Sequence, residues 1–582
     1  MTEQPTSDEK QPAPADRRAH GLDALRGLAI LLMCLSGILP GELPNWMYHG
    51  YYPTSLPAAL IEAEATPSAT PGGDLGPWEA VPQKRFRADW PSLTWVDAVF
   101  PMFLFAMGAA IPLAIDARRA RNESWRQQVR GAFTRFGLLV GFAVYVKHVT
   151  PYFMANPPGV ATWAIALLAM VPVGLVLTRL PRRWPRGLVW ALRSAGWAGA
   201  NALVAWTHAR SGKPFTWDDK DIIILLLAWS SLLVTLAVLV AGRWRWLRLA
   251  LVLPVALLAH HQAMRPGWRV LGDRLDPWMD RLQRPKQWLD RSDWAGQLPG
   301  GFEVPGAWLD FSSLYDFTWF KFAVIVVLGT FVGDVLWKRR SAEFTSGGGV
   351  RRGVGRDLAL TALLLGAVVG TFIGLKDYAT TFLALGPVSL TSPYAALMFG
   401  GAPAGLAVWV AGRSGETTED RRYLATLTRW GAAVLGVGLV LAVLPGPALD
   451  TAFGFFEGGV KKGPPATLSW YLASLGASVL LLAAFAVWLD VRRLTWPWNW
   501  LIANGQNPML AYLGIRNLLA PLVALPVFWW SADPGMRSLN GVMLERVFGG
   551  GPWEAAAWAG VQTLGLALVV WGLTRRGVVW RS

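Results

Sequence analysis

Fourteen mostly apolar stretches recur along this chain, near 22–40, 95–115, 131–147, 159–178, 187–206, 221–241, 245–261, 318–337, 357–375, 391–411, 426–445, 467–489, 508–530 and 556–574. Each is close to the roughly 20 residues a helix needs to cross a bilayer core. No water is present there to satisfy backbone N–H and C=O groups, so such segments span as helices, which bond internally. The expected fold is therefore all-α, a polytopic transmembrane helix bundle. Several stretches are broken by Gly or Pro, and 187–206 carries Arg193, which sets the expected number of spans at about 11–14. Only 16% of the 582 residues are charged, against about 25% in soluble proteins. That is too little polar surface for a set of soluble domains.

The connectors carry the next piece of information. Alternate ones are basic: Arg118, Arg119, Arg121, Arg126 and Arg130; then Arg179, Arg182, Arg183 and Arg186; then Arg243, Arg245 and Arg248. The alternation continues through Lys338–Arg340, Arg351, Arg352 and Arg356, then Arg413, Arg421 and Arg422, then Arg492 and Arg493, and ends at Arg575, Arg576 and Arg581. The intervening connectors are nearly balanced, and 262–317 sets seven Lys/Arg against eight Asp/Glu. Positive charge marks the cytoplasmic side of a membrane protein. Both termini are thus expected in the cytoplasm, with 1–20 a disordered tail, 21–582 a single domain, and the long loops 41–93 and 262–317 outside. The net charge of +16 is read as this orientation signal; no basic patch with interleaved aromatics points to nucleic acid. Trp, at 34 residues, gathers near span ends, where it anchors the interface with the lipid bilayer. With the single cysteine, Cys34, neither an intrachain disulfide nor a Cys-based zinc cluster can form, and no metal site is expected.

A few polar residues carry chemistry in principle. His49 follows Asn45-Trp46-Met47-Tyr48 just outside the first span. An imidazole held neutral at the membrane edge is placed to take a proton from a nucleophile, although an interfacial aromatic cluster explains the same residues. Asp97 opens the second span on the same side, and a carboxylate that orients an imidazole is a recurrent catalytic pairing. Asp23 and Arg26 stand three apart at the inner end of the first span and can pair on one helix face. Lys321 and Asp334 fall within or at the ends of the span at 318–337, where charge is costly. Lys461 and Lys462 precede the span that starts near Thr467, and Asn504, Gln506 and Asn507 stand before Pro508. Unwound backbone and amides there could bind a polar ligand. His148, His208, His260 and His261 sit at outer span ends, where interfacial histidine is common.

Four segments stand in order along the chain: Arg18-Ala19-His20-Gly21-Leu22-Asp23-Ala24-Leu25-Arg26-Gly27; Thr94-Trp95-Val96-Asp97-Ala98-Val99-Phe100-Pro101 through Gly108; Lys461-Lys462 with Thr467-Leu468-Ser469; and Asn507-Pro508-Met509-Leu510-Ala511-Tyr512. Together they resemble the heparan-α-glucosaminide N-acetyltransferase-like family of membrane proteins, in its bacterial branch. The resemblance implies an acyltransferase of the bacterial cytoplasmic membrane. It implies acetyl-CoA as cytoplasmic acyl donor and an amino or hydroxyl group of an outer saccharide as acceptor. It also implies a catalytic histidine between the first two spans, a place that His49 fits. From the residue types themselves, Asp97 is expected to orient His49, and Lys462 and Asn507 are expected as polar substrate contacts. Asp23 and Arg26 are read either as substrate contacts or as a structural ion pair. A homodimer is compatible with this reading. A transporter of a polar solute and a non-catalytic membrane component are the alternatives.

Overall fold

The computed structural model describes residues 19–41, 43, 47, 93–181, 183–213, 215–263, 281–282, 285–286, 289–290, 310–342, 354–375, 395–413, 419–443, 460, 466–526 and 538–580. His49 and Lys462 lie outside the described residues, as does most of the two long loops. Among the described residues there is no β-strand, and each of the fourteen apolar stretches overlaps a helix. The helices are α1 (His20–Ser36), α2 (Trp95–Arg119), α3 (Trp125–His148), α4 (Val160–Leu177), α5 (Arg186–Ser211), α6 (Ile222–Ala241) and α7 (Arg245–Ala263). The second half holds α8 (Ala323–Ala342), α9 (Val354–Gly374), α10 (Ala402–Arg413), α11 (Glu419–Val443), α12 (Leu468–Phe485), α13 (Asn499–Gln506), α14 (Pro508–Gly514) and α15 (Pro552–Arg575). Nine helical segments among the described residues are long and apolar enough to cross a membrane, and two shorter apolar ones, Leu397–Gly412 and Pro508–Ala524, accompany them. The chain is a multi-pass integral membrane protein with an all-α fold.

Local sequence sets the helix ends. Helix α2 starts at a capping box: the Thr94 hydroxyl accepts the Asp97 N–H at 3.3 Å, and the Asp97 carboxylate accepts the Thr94 N–H at 3.3 Å. Ser124 and Gln127 do the same for α3, which therefore begins six residues before its apolar stretch. Helix α12 sits deep in the bundle, with Trp470 and Tyr471 almost fully buried. Ser474 and Ser478 there return their hydroxyls to carbonyls one turn back, which satisfies them without a partner helix.

Lipid tails are as apolar as Leu, so helices in a bilayer are held by close packing and polar contacts more than by a hydrophobic drive. Both devices are present. A Cβ on Gly27 of α1 would collide with the Leu501 carbonyl of α13, and one on Gly505 would collide with the Asp23 carbonyl. The two backbones therefore approach as only glycine allows.

Among the described residues, the ion pairs between helices collect at one end. Arg248, 1% exposed, lies between the Asp334 carboxylate and the Gly242 carbonyl, and Arg245 joins the same carboxylate. Arg339 pairs with Asp420 at 2.8 Å and donates to the Asp490 carbonyl at 2.6 Å. The Asp490 side chain accepts the Gly21 N–H and the Tyr423 hydroxyl, each at 3.0 Å. Arg492 holds Asp357. These bonds bring the ends of α1, α7, α8, α9, α11 and α12 together, so Arg245, Arg248, Arg339 and Arg492 from different basic connectors share an Arg-rich end of the bundle. Asp334, costly within an apolar stretch, is accounted for by two guanidinium partners.

Candidate functional site

Five helices leave a cavity between them. From α1 come Arg26, Ile30 and Met33; from α2, Phe103, Met107 and Ala110; from α3, Arg135, Leu139 and Phe142. Each triplet has the spacing i, i+4, i+7, which places its members on one helix face. Ile223, Ile224 and Leu227 of α6 and Pro508, Met509 and Tyr512 of α14 complete the wall of a cavity of about 260 Å³. Helices α1 and α3 leave the Arg-rich end and α2 returns to it. Arg26, Ala110 and Arg135 therefore mark the Arg-rich end of the cavity, and Met33, Phe103 and Phe142 its far end.

The two arginines are held differently. Arg26 pairs with Asp23 at 3.5 Å and donates to the Gly505 carbonyl at 3.1 Å, so it is oriented by α1 and α13 together. Gln506 reaches the other oxygen of Asp23 at 3.4 Å. Arg135 makes no ion pair among the described residues, and its buried Nε has no hydrogen-bond partner among them. Arg26 and Arg118 are near enough to add to its positive field. A buried donor without an acceptor costs about 1–3 kcal/mol, more when charged, so this end of the cavity favours an anion. Toward the far end the Tyr512 hydroxyl donates to Asp221 at 2.5 Å. That carboxylate also caps α6 through the Ile224 N–H.

The site residues expected from sequence separate into groups. Asp23 and Arg26 are paired as expected, and Arg26 lines the cavity. Asp97 is fully buried and accepts Thr94 hydroxyl and backbone donors; its observed work is the start of α2, and its relation to His49 lies outside the described residues. Asn507 is also committed elsewhere. Its amide donates to the Val578 carbonyl at 2.8 Å and to Thr574, and its oxygen accepts the Trp580 N–H at 3.1 Å. It ties the break between α13 and α14 to the chain beyond α15, and the neighbouring Pro508, Met509 and Tyr512 face the cavity instead.

Two further features emerge from the structure. Arg135 lies inside the apolar stretch 131–147, where an ionisable residue is by default functional. His148 and His208, read as separate interfacial residues, form a buried pair with Nδ1 of His148 3.0 Å from Nε2 of His208. The Lys213 carbonyl accepts from His208 Nδ1 at 2.8 Å. With both rings neutral, this order of donors leaves His148 Nε2 as a lone pair, and it has no hydrogen-bond partner among the described residues. In the loop beside them, burial raises the Asp219 carboxyl above its ordinary range, against the pull of Lys147, His208 and Lys213.

Fold and cavity define a multi-pass membrane protein with an internal apolar chamber bearing guanidinium groups at one end. Residues 18–63 and 65–266 match a domain of unknown function, DUF5009. That region contains α1, α2, α3 and α6, four of the five helices around the cavity. No curated protein matches the chain at a significant level.

Proposed function

We propose that the protein is a membrane-embedded acyltransferase of the bacterial cytoplasmic membrane, with both termini in the cytoplasm. It moves an acetyl group from cytoplasmic acetyl-CoA to an amino or hydroxyl group of a saccharide on the outer side. The observation that carries this reading is the cavity, with Arg26 and Arg135 at its Arg-rich end and Met, Phe and Leu along its walls. Guanidinium groups suit phosphates, and the apolar wall suits an uncharged arm. Ligand pockets usually hold about 300–1,000 Å³, so this chamber takes the arm and leaves the nucleotide at the Arg-rich face.

In this scheme His49 removes a proton from the acceptor amine or hydroxyl, whose electron pair attacks the thioester carbonyl. The C–S bond breaks, and the departing CoA thiolate takes the proton back from the imidazolium. Lys462 would contact the acceptor from its own loop.

The test is labelled acetyl-CoA supplied to inside-out vesicles. The expected result is label on a luminal saccharide, abolished in His49→Ala. In Arg135→Gln the half-saturating acetyl-CoA concentration should rise about tenfold or more, as loss of a charge-assisted hydrogen bond predicts. Asn507–Pro508 breaks a helix beside the cavity, a feature that transporters also use. Saturable solute uptake without thioester consumption would establish transport and overturn the transferase reading.

A further inference from the structure

A second cavity lies away from the first, where α4 ends and α5 begins. It measures about 230 Å³ and is bounded by Pro181, Trp184, Arg186, Trp190 and Arg193, among others. On α5, Arg186, Trp190, Arg193 and Trp197 follow the spacing i, i+4, i+7, i+11 and so form one stripe. Arg193 stands seven residues, or about 10 Å, further along the helix than Arg186. That places a guanidinium inside an apolar stretch, where an unpaired charge is expensive. One of its N–H groups donates to the Val176 carbonyl at 2.8 Å, an acceptor left over at the end of α4. Neither Arg186 nor Arg193 makes an ion pair among the described residues.

On the same stripe as the two arginines, Trp190 is 72% exposed and Trp197 is also exposed, as lipid-facing residues are. Two unneutralised cations, interfacial tryptophans and a lipid-facing apolar strip combine the elements of a headgroup site. Basic pockets between helices on the positively charged side of membrane proteins bind anionic lipid headgroups.

We propose that this cavity binds the phosphodiester of an anionic phospholipid from the leaflet at the Arg-rich end. Arg186 meets the phosphate at the level of the headgroups. Arg193 reaches up to it along its aliphatic stem, and an acyl chain runs along Trp190 and Trp197. A soluble phosphate has the charge but nothing to lay on the apolar strip, and it would give up its hydration to reach Arg193. The lipid thereby neutralises Arg193 and fastens α5 to α4. This site is independent of the acyl-transfer reading.

The experiment is thermal unfolding of the full-length protein in zwitterionic detergent, titrated separately with phosphatidylglycerol, phosphatidylcholine and inorganic phosphate. Phosphatidylglycerol should raise the unfolding temperature saturably, and the other two should not. Each of Arg186→Gln and Arg193→Gln should raise the half-saturating phosphatidylglycerol concentration about fivefold, while Arg210→Gln at the other end of α5 leaves it unchanged. Equal stabilisation by phosphatidylcholine would overturn the proposal, and equal stabilisation by inorganic phosphate would replace it with a soluble-anion site. Should Arg193→Gln fail to fold, Arg193→Lys keeps the charge and removes the fork, and the three-ligand comparison on the unmodified protein decides without any variant.

Discussion

Asp97 shows how one residue type in one position serves two readings. A carboxylate at the start of a span, on the same side as a histidine, suggests catalysis. The same carboxylate three residues after Thr94 is also the last member of a capping box, and that is the role its hydrogen bonds show. The two readings differ in a measurable way. If the cap dominates, Thr94→Ala and Asp97→Ala should each destabilise the protein by about 1 kcal/mol. The double variant should then lose little more than either single one, because the two residues share the same bonds. Thermal unfolding in detergent measures this. Activity lost in Asp97→Asn at unchanged stability, with additive single losses, would return Asp97 to the chemistry. The sequence pattern contained the answer, since Thr-x-x-Asp before an apolar run signals a helix start. Asn507 was less legible: its partners at Thr574, Val578 and Trp580 stand some seventy residues away, and a linear pattern does not record them.

At the scale of elements, the helices were legible because a span must be long and apolar whatever it packs against. Their edges were less so, since α3 and α11 extend several polar residues beyond the apolar core into the Arg-rich end. What joins helices was hidden. The cavity needs faces of α1, α2, α3, α6 and α14 to converge, and the His148–His208 pair joins residues sixty apart. Glycine records a close helix contact. Gly505→Ala puts a methyl into the Asp23 carbonyl, and overpacking of this kind costs about 1–3 kcal/mol. The expected result is a clear drop in unfolding temperature, with the cavity disturbed because Arg26 bonds the Gly505 carbonyl. Gly560→Ala supplies the contrast: a Cβ there meets nothing within 4 Å, and alanine is the better helix former by about 1 kcal/mol. That substitution should be neutral or stabilising. Equal losses for both glycines would mean that close approach of α1 and α13 is not what Gly505 provides.

For the molecule as a whole, sidedness is the property that links the charge pattern to the proposed chemistry. Donor and acceptor sit on opposite sides only if the Arg-rich end faces the cytoplasm. By the positive-inside rule the alternation of basic connectors predicts that orientation, and the ion pairs through Asp334, Asp420 and Asp357 bring Arg248, Arg339 and Arg492 of these connectors to one end. The lone cysteine makes the matter testable. Cys34 is buried, 3% exposed, so the unmodified protein should not react with a membrane-impermeant maleimide. Arg121 and Trp244 are exposed in connectors at the Arg-rich end, and Asp218 is exposed at the other. Asp218→Cys should be labelled in intact cells, whereas Arg121→Cys and Trp244→Cys should be labelled only after the membrane is opened. The reverse pattern would invert the molecule and place Arg26 and Arg135 away from cytoplasmic acetyl-CoA. Labelling of all three under one condition would break the alternation itself. Since the arginines sit at one end of the cavity and the expected acceptor at the other, this single measurement decides whether the chamber can carry an acyl group in the proposed direction.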